Sequence, residues 1–251
     1  MNNSNARYSV LQDRPIVLSI AGLDPSGGAG ILADIKTFEQ LKVRGMAVLT
    51  ANTLQTEEDF YDLNWQPVES ICRHIEILMG TYFIPVIKIG IVQDAEMLQH
   101  IVDTIRQQNK KAFIMWDPVI KSSTGFTFFA TTGRASLKAT LQQIDLLTPN
   151  LREYEQLEAL IGKEQAVLLK GGHRKEQTGL DILYLQGEKT ELYPGTETAT
   201  PKHGSGCVLS AATSAHIALG YGIEEACRLG KQYVERFLNS HPTLSGYHHA
   251  G

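Results

Sequence analysis

Ile16-Val17-Leu18-Ser19-Ile20-Ala21-Gly22-Leu23-Asp24-Pro25-Ser26-Gly27-Gly28-Ala29-Gly30-Ile31 is the stretch on which the fold turns. Residues 16–21 form an apolar run too short for a helix, which reads as a buried strand. Glycines 27, 28 and 30 then lead into a helical segment through residue 41, with Ile31, Ile35, Phe38 and Leu41 repeating at helical spacing. A second strand follows at 46–50. Strand, glycine turn, helix and strand is the opening of a βαβ unit, and the alternation continues. Strands are expected at 83–89, 112–116, 144–148 and 166–170, and helices at 68–79 and 95–107. The whole predicts an α/β fold: a doubly wound, mainly parallel sheet with helices on both faces.

Near the C-terminus the rhythm changes. Residues 181–185 and 190–193 flank Gln186-Gly187-Glu188 and predict a hairpin, a small antiparallel addition to the parallel core. Helices are expected at 206–219 and 223–238. No internal repeat or linker interrupts the pattern, so residues 1–251 are expected to form one domain, with 1–14 and 241–251 as irregular tails. A chain of 251 residues with 43% hydrophobic content can bury one large core.

Charge and composition narrow the function classes. The formal net charge is -4, and no dense Lys/Arg tract offers a field for nucleic acid. The first seven residues are polar, and no apolar run approaches the ~18 residues of a membrane span. Cys72, Cys207 and Cys227 are an odd, widely spaced set, which suits free thiols and a cytoplasmic setting. The eight histidines show no zinc spacing, and His248 and His249 are expected to be solvated in the tail.

Chemistry is expected at the strand ends. Gly28-Ala29-Gly30-Ile31-Leu32-Ala33 satisfies a loose dinucleotide-binding pattern, but the next strand ends in Thr50-Ala51-Asn52-Thr53, without the acidic residue a ribose needs. No G-x-x-x-x-G-K-[ST] occurs, so no P-loop is present. Gly204-Ser205-Gly206-Cys207 precedes an alanine-rich helix. Such a turn offers unpaired backbone N–H groups and the positive end of a helix dipole to an anion. Cys207 is expected to have its pKa lowered there and to act as base or nucleophile, against the alternative of an inert packed thiol.

Three further segments join the set. Asn150 and Glu153 follow a strand and could organise Mg²⁺ through water or phosphate, or simply form a capping box; both readings are compatible. Lys170-Gly171-Gly172-His173 ends another strand, where Lys170 could meet phosphate charge and Gly172 admit a nucleotide. Asp117-Pro118-Val119 could serve the site or close a turn.

In combination these stretches resemble the ribokinase-like superfamily, and within it the hydroxymethylpyrimidine/phosphomethylpyrimidine kinases of thiamine biosynthesis. The likeness runs through Ile20 to Ile31, Ala33-Asp34-Ile35-Lys36-Thr37-Phe38, Asp117-Pro118-Val119, Leu147-Thr148-Pro149-Asn150-Leu151, Leu169 to His173 and His203 to Cys207. It implies ATP-dependent phosphorylation of 4-amino-5-hydroxymethyl-2-methylpyrimidine and then of its monophosphate. Cys207 would take or orient the hydroxyl proton, with Gly204, Ser205 and Gly206 forming the anion hole. Gly22, Gln55 and Val119 fall at the ring-binding positions. Asn150, Lys170 and Gly172 fall on the nucleotide side, with Asn150 and Glu153 toward Mg²⁺. A homodimer is implied as well.

The chain departs from the family pattern at Ile91 for Met, at Ser122-Ser123-Thr124-Gly125 for Ala-Lys-Ser-Gly, at Pro201-Lys202 for Asn-Thr, and in a shortened stretch between Asn150 and Ala166. That shortening predicts the loss of a helix on the nucleotide side. The rival functions are a pyridoxine/pyridoxal kinase, whose substrate also carries a hydroxymethyl group on a flat ring, and a non-catalytic pyrimidine-binding regulator.

Overall fold

Ile16 to Ala21 are buried almost completely because β1 (Ile16–Leu23) lies between parallel neighbours in a sheet whose two faces are covered by helices. The computed structural model describes residues 14–121, 128–129, 134–172, 179–195 and 200–249. After β1 come α1 (Gly30–Gln40), β2 (Arg44–Gln55), β3 (Phe60–Trp65), α2 (Val68–Thr81), β4 (Val86–Ile89), α3 (Ala95–Gln108), β5 (Phe113–Trp116) and α4 (Arg134–Leu141). The chain continues through β6 (Leu146–Leu147), α5 (Leu151–Leu157), β7 (Val167–Leu169), β8 (Asp181–Leu185), β9 (Glu188–Leu192), α6 (Ser205–Ala218) and α7 (Ile223–Leu238).

All nine strands among the described residues join one sheet in the order β3-β2-β1-β4-β5-β6-β7-β8-β9. The six from β2 to β7 are parallel, as expected. Antiparallel strands occur at both edges rather than only at the predicted hairpin: β3 pairs with β2, while β8 and β9 extend from β7. The sequence reading missed β3 because Phe60-Tyr61-Asp62-Leu63-Asn64-Trp65 is largely exposed and carries no apolar run. It also stopped β2 short and placed Glu188 in the turn. Gln186 and Gly187 have φ of 52° and 82°, so two residues make the turn and Glu188 opens β9.

One short helix, α4, was not foreseen, and the start of a second, α5, was foreseen only as the capping-box reading of Asn150 and Glu153. α4 follows the site strand β5, and α5 occupies the shortened stretch after Asn150. α5 is seven residues long.

Helices cover both faces. Ile71, Ile75, Leu98, Ile101 and Ile105 from α2 and α3 pack on one side with Ile87, Ile89 and Trp116. On the other, α1, α6 and α7 contribute Ala33, Phe38, Ala211, Ala212, Ala215 and Phe237. α6 is buried from Val208 to Ala215, and its small residues let neighbouring backbones approach. A Cβ on Gly230 of α7 would lie 2.4 Å from Thr213 Oγ1. This close packing fixes the N-terminus of α6 beside the C-terminal ends of the parallel strands, where ligands bind in open α/β sheets. The C-terminal residues 241–249 have no regular secondary structure. They are nevertheless docked. His248 is half-buried between Tyr233 and Phe237, with Nδ1 3.1 Å from Tyr233 Oη, so the expectation that it is solvated is corrected.

Candidate active site

A cavity of about 460 Å³ opens over the strand ends. Gly22, Gln55, Val119, Asn150, Glu153, Lys170 and the whole Gly204-Ser205-Gly206-Cys207 turn line it, so segments from across the chain converge on one space. Gly172 is not among the lining residues. His173 and Ser122-Ser123-Thr124-Gly125 lie outside the described residues.

The two glycine-rich turns pack backbone to backbone. Gly204 caps α6 at φ 73°, and a Cβ there would lie 2.0 Å from Gly28 O, which only glycine tolerates. Asp24 ties the pair together. Its carboxylate accepts hydrogen bonds from Ser26 N and Oγ at 2.9 Å each, from Ala29 N at 2.8 Å and from His203 Nε2 at 2.8 Å. Burial alone would raise its pKa, but these donors outweigh burial and hold it below the usual carboxylate value.

At the head of α6, Val208 N donates to Gly204 O at 3.0 Å. The N–H groups of Ser205, Gly206 and Cys207 precede any intrahelical acceptor, and with the helix dipole they form an anion cradle. Cys207 is half-buried in the cavity wall. Its expected activation is corrected in sign: desolvation pushes the thiol pKa up. The Lys88 ammonium opposes this, Asp117 and Asp34 add to it, and a hydrogen bond from Gly30 N–H opposes it further.

Beneath the cradle are charges that the sequence reading did not place in the site. Lys88 Nζ donates to both Asp34 oxygens at 2.8 Å, Ser19 Oγ donates to Asp34 at 2.6 Å, and both charged side chains are fully buried. Their signal was available: Lys88 interrupts Val86-Ile87-Lys88-Ile89, and a charge inside a buried strand needs a partner. Lys170 Nζ pairs with Asp117 at 2.5 Å, and Asp117 also accepts from Ser210 Oγ at 3.1 Å. Asp24 and His203 were likewise overlooked as a pair, since 179 residues separate them.

Asn150 and Glu153 realise the capping box. Asn150 N donates to Glu153 at 2.7 Å and Glu153 N to Asn150 Oδ1 at 3.0 Å. Burial raises the Glu153 pKa, and the Lys170 ammonium works against that rise. On the opposite wall, Gln55 Nε2 donates to Thr53 Oγ1 at 2.9 Å, which donates to Leu23 O at 2.7 Å. Phe60 and Phe128 meet edge to face at 5.2 Å and supply an apolar margin beside Gln55. Ile91 also lines the space. One wall thus presents an aromatic margin and a side-chain amide, and another the Gly204–Cys207 turn and the Lys170 ammonium.

A mainly parallel sheet with antiparallel edges, with a helix N-terminus and a lysine opening on one cavity at its strand ends, is a fold of the ribokinase-like class. Comparison with known proteins narrows this further. Residues 24–250 match the model of the phosphomethylpyrimidine kinase family, and the chain belongs to that family. It is 32% identical to the hydroxymethylpyrimidine/phosphomethylpyrimidine kinase of Aquifex aeolicus, over 92% of this chain and 98% of the relative. Among solved structures it is similar to phosphomethylpyrimidine kinase from Clostridium difficile 630, with a TM-score of 0.71, 30% identity, and coverage of 88% of this chain and 98% of that one. It is similar also to the pyridoxal kinase from Staphylococcus aureus in complex with AMP-PCP and pyridoxal, with a TM-score of 0.76, 26% identity, and coverage of 90% and 88%. No helix among the described residues is long and apolar enough to cross a membrane.

Proposed function

We propose that this kinase uses ATP to phosphorylate 4-amino-5-hydroxymethyl-2-methylpyrimidine and then its monophosphate, a step of thiamine biosynthesis in the cytoplasm. The observation that carries the reading is the placement of Cys207 and the three free N–H groups of its turn in one cavity with Gly22, Gln55 and Val119. In the first transfer the hydroxymethyl oxygen attacks the γ-phosphorus. An O–P bond forms as the bond to the ADP oxygen breaks, and the hydroxyl proton passes to the thiolate form of Cys207, which becomes the thiol. The N–H groups of Ser205, Gly206 and Cys207 hold the charge that develops on the phosphoryl oxygens, and Lys170 lies beside them. In the second transfer the acceptor is a phosphate oxygen, so the cradle matters more than the thiol.

Mg²⁺ fits this site through water. Among the described residues no group of three metal-binding side chains exists, and Asn150 Oδ1 and one Glu153 oxygen are engaged in the capping box. Glu153, which also accepts from the Ile120 N–H, lies on the cavity wall, which suits an ion that retains its waters and is held chiefly by phosphates. The ion would neutralise phosphate charge. Lys170 and Asn150 would face the nucleotide. Gly172 enters only if the nucleotide reaches beyond the cavity. A homodimer and one domain spanning residues 1–251 complete the proposal.

The pyridoxal kinase reading is favoured by the structural likeness to the S. aureus enzyme. The intact Gly204–Cys207 turn argues against a non-catalytic regulator. Incubation with ATP, Mg²⁺ and the pyrimidine, followed by separation of mono- and diphosphate, tests the proposal. A kcat/KM for pyridoxal far above that for the pyrimidine would transfer the assignment, and ligand binding without turnover of either substrate would favour the regulator.

A further inference from the structure

His203 belongs to the turn that leads into α6, yet its imidazole reaches back to the first glycine turn. Nε2 meets Asp24 at 2.8 Å, and the ring lies against Gly28, where a Cβ would approach His203 Cδ2 to 2.7 Å. The backbone of His203 is held from the other side, its N–H donating to Leu244 O at 3.0 Å. Asp24 is 1% exposed and follows directly on Leu23, whose carbonyl accepts the Thr53 hydroxyl that is bonded to Gln55. Two side-chain hydrogen bonds from Gln55 to Leu23 O, the main chain from Leu23 to Asp24, and the Asp24–His203 hydrogen bond therefore connect the Gln55 amide on the ring side to the turn that opens the anion cradle on the phosphate side. Among the described residues, the side-chain hydrogen bond between the two turns is that of Asp24 with His203.

We infer that His203 is a positioning residue: by gripping Asp24 it fixes the α6 cradle in register with the ring-binding turn, so that acceptor oxygen and phosphoryl group meet in line. The inference rests on the kinase reading above. His203 is engaged with Asp24 and takes no part in the proton transfer. Glycine at 204 makes the latch necessary, because the residue that frees the turn to approach Gly28 also leaves its own backbone loosely constrained. A misplacement of about 1 Å between reacting groups costs on the order of 100-fold in rate.

The test is steady-state kinetics of the first transfer on the full chain, with thermal melts alongside. His203→Ala is expected to lose roughly 10- to 100-fold in kcat while KM for the pyrimidine stays within about threefold, since ring contacts remain. His203→Gln, whose Nε2 can reach the same oxygen, is expected to recover most of that loss, and His203→Asn, whose amide is shorter, to recover little. In an Asp24→Asn background the further change on removing His203 is expected to be small, because the two act as one unit. Wild-type kcat in His203→Ala, or equal loss in the Gln and Asn variants, overturns the inference. Where the alanine variant does not fold, the Gln and Asn comparison decides by the same criterion. A wild-type protein inactive on the pyrimidine and on pyridoxal would instead sink the kinase reading itself, and the inference with it.

Discussion

Cys207→Ala separates the two transfers. The substitution removes the thiol but leaves the N–H groups of residues 205–207, the helix dipole and the Gly204 turn in place. General-base assistance accounts for roughly 10²- to 10⁴-fold, so the first transfer is expected to slow by at least ~100-fold. The second, which has no hydroxyl proton to lose, should slow by less than about tenfold. Burial raises the thiol above its ordinary value, and the Lys88 ammonium only partly offsets that. Even a free thiol of pKa ~8.5 is only a few per cent thiolate near neutrality, so the active fraction here is smaller still. The wild-type first transfer should therefore climb with pH, approaching tenfold per unit between about pH 6.5 and about pH 8.5. The alanine variant should be flat over that window, as should the second transfer in both proteins. Quenched reactions resolved into mono- and diphosphate by chromatography supply both rates. A variant within about threefold of wild type in the first step, or losing equally in both, would refute the base role.

Gly204→Ala forces a Cβ to within 2.0 Å of Gly28 O at a φ of 73°, so both transfers should fall by about 100-fold or more, and turnover near wild type would show that the two turns can part without loss. Lys88→Met strands the Asp34 carboxylate without its cation. Urea unfolding should register a loss of ~3–5 kcal/mol, and the Lys88→Met, Asp34→Leu double variant should recover much of it. A double variant less stable than the single would contradict the idea that the pair exists to neutralise itself. His248 has its pKa depressed to about 4 from 6.5 by burial, Lys36 and His249, so the folded state prefers the neutral ring. The stabilisation it gives is complete above about pH 6.5 and lost as pH falls toward about 4. Melting temperatures of wild type and His248→Phe should therefore diverge on acidification, the variant losing less; parallel curves would place the tail's pH response elsewhere.

The parallel core was readable because fully buried strands must be apolar throughout. Val86-Ile87, Ile114-Met115 and Leu146-Leu147 announce themselves by composition, and α3 and α7 by helical spacing that matched the observed limits to within a residue. β3 was not readable, because an edge strand with one solvated face needs no such run. α5 was hidden in a seven-residue segment too short for periodicity, although its capping box was visible in Asn150 and Glu153.

Local chemistry tied to a backbone requirement could likewise be read from the chain alone. The glycines at 28, 30 and 204 and the small residues of α6 mark close approaches whatever surrounds them, and so point to the turns that line the cavity. Partnerships could not be read. Asp34 with Lys88, Asp117 with Lys170 and Asp24 with His203 are 54, 53 and 179 residues apart, and only the strand order together with the packing of helices on the sheet brings each pair to hydrogen-bonding distance. Those partnerships decide the electrostatics. Seen in sequence, Cys207 at a helix N-terminus had only the dipole to respond to, which lowers a thiol pKa; in the fold it is also desolvated and faces two buried carboxylates, and desolvation prevails.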